Sequence, residues 1–224
     1  MKNKNIFITD NEWFETGALK NPLSTLDCEL EDYYPELFSV NYDTKLLVTS
    51  PPKKNEEEFY MYNGYREQYG TYDLSSLDDR IQETGAKNIL LNGFTQELFE
   101  YIVPLIKDTV EIIYFFKCPK IANLSGLSQF SNLKCVHIFY NNSLTELWDM
   151  KDNTKLNVIS FTHITKLSSI EELKHSFVKY VHIDSADNYG RTKPALFETP
   201  ELEEMPYVHY MSINFTRCKI KKSR

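Results

Sequence analysis

The side chains with the greatest chemical reach in this 224-residue chain are its five histidines and four cysteines. His137, His163, His182 and Asp184 form the one grouping of histidines, and imidazoles beside a carboxylate are the donors a metal or a general acid–base pair would use. No H-E-x-x-H, G-x-S-x-G or Cys-His nucleophile signature accompanies them. Cys28, Cys118, Cys135 and Cys218 contain no C-x-x-C pair and do not read as a disulfide framework. The seven glycines, at 17, 64, 70, 85, 93, 126 and 190, fit neither G-x-G-x-x-G nor G-x-x-x-x-G-K, which excludes a phosphate-cradling loop. No cofactor is expected.

What would position these residues is a periodicity. From Val110 the apolar residues run Val110, Ile113, Phe115, Cys118, Ile121, Leu124, Leu127, Phe130. From Leu133 the same slots hold Leu133, Val136, Ile138, Asn141, Leu144, Leu147 and Met150, Asn141 being the polar one. From Leu156 they run Leu156, Ile159, Phe161, Ile164, Leu167, Ile170, Leu173. The starts are about 23 residues apart. A weaker unit precedes (Ala86, Ile89, Leu91, Phe94), another follows (Val178, Val181, Ile183, Ala186), and a last one reads Tyr210, Ile213, Phe215, Cys218. In each unit the alternating step (Ile113/Phe115, Val136/Ile138) is a short strand with every second side chain turned inward. The slot held by Cys118 and Asn141 must turn the chain while satisfying buried backbone groups. Apolar residues three apart then suit a 3₁₀ or short helical return. A doubly wound sheet is disfavoured, because 23 residues are too few for a strand, two loops and a full crossover helix.

The pattern resembles the leucine-rich repeat, L-x-x-L-x-L-x-x-N/C-x-L, with Ile164 and Ala186 departing from its Asn/Cys slot. The resemblance implies an α/β solenoid over residues 86–224, with a parallel sheet on a concave face and 3₁₀ or helical returns opposite. Residues 1–85 are expected to form an N-terminal α/β cap. Within that segment Lys45–Thr49 reads as a strand and Asp73–Ile81 as a helix start; beyond it Thr95–Ile102 reads as a second helix ended at or soon after Pro104.

On this register the concave face carries three rows. Leu90, Tyr114, His137, Ser160, His182 and Asn214 occupy one, Asn92, Phe116, Phe139, Thr162, Asp184 and Thr216 the next. Lys117, Tyr140, His163, Ser185 and Arg217 follow. Tyr114, Phe116, His137, Phe139 and Tyr140, extended by Tyr180, are therefore expected as one exposed aromatic cluster, flanked by His182 and Asp184. Exposed aromatic patches mark protein interfaces. Cys135 falls on the same face. His137 and His182 lie two strands apart, about 10 Å, too far to share a metal without a third element.

Charge constrains the partner. The net charge is −7, and residues 1–85 carry 17 acidic and 8 basic side chains against 15 and 17 in the remainder. An acidic chain gains little from phosphate neutralisation, which disfavours nucleic acid. The exception is the terminal stretch Arg217, Lys219, Lys221, Lys222 and Arg224. No apolar run approaches the ~20 residues of a membrane span, and Ile6-Phe7-Ile8 is too short for a secretory signal core. A cytoplasmic location and no membrane partner are expected. The reading that follows is a non-enzymatic module holding a protein partner on the concave face, of inhibitor or immunity type. Two others are a metal-dependent enzyme using His137, His182 and Asp184, and a nucleic-acid binder using the basic terminus.

Overall fold

Residues 5–9, 45–49, 72–73, 77–85, 87–184 and 204–214 are described by a computed structural model. Strands β1 (Asn5–Thr9), β2 (Lys45–Thr49) and β3 (Tyr72–Asp73) precede helix α1 (Leu77–Thr84) and strand β4 (Asn88–Asn92). Helix α2 (Gln96–Ile106) leads into β5 (Ile112–Phe116), β6 (Cys135–Asn141), β7 (Val158–Ile164), β8 (Tyr180–Asp184) and β9 (Tyr210–Asn214). All nine described strands share one sheet in the order β3-β1-β2-β4-β5-β6-β7-β8-β9. From β4 onward each strand pairs in parallel with the next in sequence, and β2 pairs in parallel with β4. The chain is thus α/β: β2 and β4 to β9 run parallel and in sequence order, while β1 pairs antiparallel with both β2 and β3 and leaves β3 at the outer edge.

The ladder aligns Leu90, Tyr114, His137, Ser160, His182 and Ser212, at separations of 24, 23, 23, 22 and 30 residues. The last member corrects the sequence reading, which aligned Asn214 in this row. Ile213 pairs with Ile183 and Met211 with Val181. The unit therefore begins at Val208, which packs against the core, and the 30-residue spacer had displaced its register by two. Asn214 belongs one row further on, in place of Thr216. Phe215, Thr216, Arg217, Cys218, Ser185, Ala186 and the basic terminus lie outside the described residues.

The inward side chains build the core. Ile89, Leu91, Ile113, Phe115, Val136, Ile138, Ile159, Phe161, Val181 and Ile183 are all buried. They pack in one cluster with Leu98, Phe99, Ile102 and Ile106 of α2 and with the return segments, Phe99 standing edge-on to Phe115 at 5.3 Å. Thr95 caps α2 by accepting from Leu98 N–H. The helix ends soon after Pro104, as the sequence leads one to expect. Pro104 sits exposed in the last turn, and α2 runs on to Ile106. The helix read at Asp73 starts instead at Leu77, because Tyr72–Asp73 is taken up by strand pairing with β1. Two returns contain 3₁₀ turns, Ser125–Gln129 and Glu171–His175. Gly126 lies so near α2 that a Cβ there would stand 2.9 Å from Val103 Cγ2.

The turn slot behaves as its chemistry requires. Asn141 Nδ2 donates to the carbonyls of Cys118 (3.0 Å) and Ile121 (2.8 Å), and its Oδ1 accepts from Ser143 and Leu144 N–H at 2.8 Å. Cys118 fills the equivalent slot more weakly: its Sγ accepts from Phe94 N–H and donates to Leu91 O. A second asparagine not read from the sequence, Asn153, donates to Leu127 and Phe130 carbonyls and accepts from Trp148 Nε1–H. Each of these side chains ties one unit to the unit before it.

Candidate partner-binding face and its rim

The second face of the sheet is formed by residues alternate to the core set, in rows set by the ladder. The first row is Asn88, Ile112, Cys135, Val158 and Tyr180; the second is Leu90, Tyr114, His137, Ser160 and His182; the third is Asn92, Phe116, Phe139, Thr162 and Asp184. The expected side-chain neighbours are thus brought together. Tyr114 stands edge-on to His137 at 4.2 Å and to Phe116 at 6.1 Å, while Phe116 and Phe139 stack at 5.3 Å with 13° between planes.

Their exposure differs from the expectation. Tyr114 is 6% exposed, His137 0% and Tyr180 3%, so the first row and all of the second but His182 are buried rather than presented to solvent. Alternation dictates which side of a sheet a residue faces, and it does not dictate what lies over that side. Cys135 is likewise buried, and burial pushes its thiol up to about 12, opposite to the shift a reactive thiolate needs. Cys118 is pushed up to about 12 in the same way. Of Asp184 only the backbone is described, and His182 is half-buried.

Burial also removes the chemistry that His137 could offer. Desolvation, reinforced by the neighbouring His182, lowers its pKa to about 3, so the ring is neutral at physiological pH. Neither ring nitrogen has a hydrogen-bond partner, and the same holds for Ser160 Oγ and Thr162 Oγ1. A neutral, enclosed imidazole is neither a base near neutrality nor an accessible ligand. Among the described residues no group of three His, Cys, Asp or Glu side chains could hold a metal ion. None of the described helices is long and apolar enough to cross a membrane.

The accessible part of this face is its rim, at the carboxyl ends of the strands. Here Phe116, Phe139, Thr162 and His163 are half-buried, Lys117 is exposed and Tyr140 is 45% exposed. Phe139 also meets His163 edge-on at 5.2 Å, and Lys117 Nζ lies 5.5 Å from the Phe116 ring centroid. Backbone geometry explains the arrangement. Gly93, Lys117, Tyr140 and His163 hold the same position at the carboxyl ends of successive strands, and all have positive φ: 67°, 49°, 63° and 58°. A left-handed residue breaks the in–out alternation. Two successive side chains, such as Phe116 and Lys117, then point away from the core before Cys118 turns back into it. That is the physical origin of the two-residue gap before the Cys/Asn slot. The Gly93 and Lys117 N–H groups close the ladder onto Phe116 and Phe139 carbonyls. For lysine, tyrosine and histidine the left-handed region costs about 1–2 kcal/mol each, a strain that glycine escapes. Sequence reasoning placed these residues on the face but had no signal for their backbone sign, apart from glycine at 93.

Compared with known proteins, the chain matches no family model, no curated protein and no solved structure.

Proposed function

We propose that this chain is an irregular solenoid of the leucine-rich-repeat type, and that it acts as a protein-interaction module. The 22–24-residue spacing of five consecutive parallel strands and the bonding of Cys118 and Asn141 at the turn slot support the architecture. One observation carries the function. The stacked Phe116–Phe139 pair reaches the rim of the sheet, flanked by exposed Tyr140, where aromatic area is available to a partner. The contact surface is therefore the rim and not the whole face: Phe116, Phe139 and Tyr140 form its centre, and Tyr114 and His137 support it from below. The buried, neutral state of His137 weighs against the enzymatic reading built on that residue.

The test is an affinity capture from native lysate with the Phe116→Ala/Phe139→Ala double variant beside the wild type. The expected result is loss of the captured partner with the fold retained by circular dichroism. Retention of the partner by a folded double variant refutes the proposal.

A further inference from the structure

The two faces of the sheet are closed in different ways. In the core, Asn141 bonds to backbone groups of its own and the previous unit, Asn153 to the Leu127 and Phe130 carbonyls and to Trp148, and Cys118 to Phe94 and Leu91. On the second face the reverse holds. Among the described residues, the buried side-chain nitrogen and oxygen atoms without a partner are His137 Nδ1 and Nε2, Ser160 Oγ and Thr162 Oγ1, and all four belong to that face. His137 and Ser160 stand opposite each other on β6 and β7, with Thr162 two residues beyond Ser160. Both His137 and Ser160 are 0% exposed.

Buried atoms that lack a partner regain hydrogen bonds as soon as water reaches them. Opening the second face therefore returns four such atoms to solvent, whereas opening the core breaks bonds already made. The apolar members of the second face, Leu90, Ile112, Tyr114, Cys135, Val158 and Tyr180, lie outside the core cluster that ties the strands to α2 and the returns. The backbone ladder runs from strand to strand and does not depend on what lies over either face. Local opening draws on regions of this kind, where enclosure adds least to stability.

We propose that the second face is a latent surface: its enclosure opens while the ladder and the core stay folded, bringing Tyr114, His137 and Tyr180 to solvent. Tyr114 already stands edge-on to Phe116 at 6.1 Å, so opening extends the aromatic rim inward across the sheet. The closed and open states differ in the surface they present and not in fold. Opening is a property of the free chain, and it stands whether or not the rim captures a partner.

Two cysteines report it without any substitution. Cys135 lies in the first row of the second face and Cys118 in the core cluster; both are buried, and burial pushes both thiols up to about 12. The native full chain is treated with methyl methanethiosulfonate, which reacts far faster than iodoacetamide and so registers rare openings, and each thiol is followed by peptide mass spectrometry. Each rate is divided by that of the same thiol in the urea-unfolded chain. The expected result is Cys135 labelling at least tenfold faster than Cys118, at a rate that low urea leaves unchanged while the Cys118 rate climbs. A Cys135 rate less than tenfold above that of Cys118, or one that climbs with urea in parallel, puts both thiols behind global unfolding and overturns the latent face. His137→Leu/Ser160→Ala/Thr162→Val removes the four unpartnered atoms and should slow Cys135 labelling at least tenfold. Undiminished Cys135 labelling in the folded triple variant overturns the role given to those atoms.

Discussion

His137 offers the sharpest test of the packing on the second face. Leucine has nearly the volume of histidine, so His137→Leu removes two ring nitrogens without opening a cavity. Each buried polar group without a partner costs about 1–3 kcal/mol, and both nitrogens are in that condition. Against this stands the edge-on contact with Tyr114, of order 0.5–1.5 kcal/mol. The balance favours the variant by about 1–5 kcal/mol at pH 7. Acid widens the difference. The folded pKa of about 3 lies below the unfolded value near 6.5. Between those limits the unfolded chain binds a proton that the folded chain lacks. Wild-type stability therefore falls with acid at up to ~1.4 kcal/mol per pH unit, about 2 kcal/mol between pH 7 and pH 5. The variant lacks this loss, so its advantage is about 2 kcal/mol larger at pH 5 than at pH 7. Urea unfolding at the two pH values measures both quantities. A variant no more stable at pH 7, with an unchanged pH dependence, would falsify the enclosed, partnerless imidazole.

Three other outcomes follow from the packing. Asn141→Ala leaves two carbonyls and two N–H groups without partners and should lower stability by about 3–5 kcal/mol, read from denaturant midpoints. Gly126→Ala drives a methyl to 2.9 Å from Val103 Cγ2; a loss of about 1–3 kcal/mol is expected, and Val103→Ala should restore part of it in a double-mutant cycle. Cys135, with its thiol raised to about 12, should resist iodoacetamide at pH 8 in the native protein and react once urea unfolds it, as peptide mass spectrometry would detect.

Much of the parallel ladder was legible because each strand repeats one demand: two inward apolar residues, then a residue that turns the chain. Ile113/Phe115, Val136/Ile138 and Ile159/Phe161 satisfy it at constant spacing, and Lys45–Thr49 read as a strand from its own β-branched and leucine content. The last unit was misread because its 30-residue spacer offered Tyr210 as a plausible start, where the pairing begins from Val208. The burial of Tyr114, His137 and Tyr180 was not legible, since periodicity reports a residue's direction and not the depth of what covers it. The left-handed row escaped because nothing in a lysine, tyrosine or histidine announces a positive φ. Asn153 escaped because it sits in a return segment, where apolar spacing drew attention away from a polar residue that bonds the unit before.

The side chains that lock neighbouring units reach back a single step: Asn141 to Cys118 and Ile121, Asn153 to Leu127 and Phe130, Ser168 to Thr145. Such wiring is modular. Excising one whole unit, residues 135–157, would set β7 against β5 with the pleat still in phase, much as a rung can be taken from a ladder. It would also delete Phe139 and Tyr140 and leave Phe116 beside Thr162. Within one scaffold, adding or removing a unit can therefore rewrite what the rim reads while the framework persists, and recognition can diversify faster than the fold that carries it.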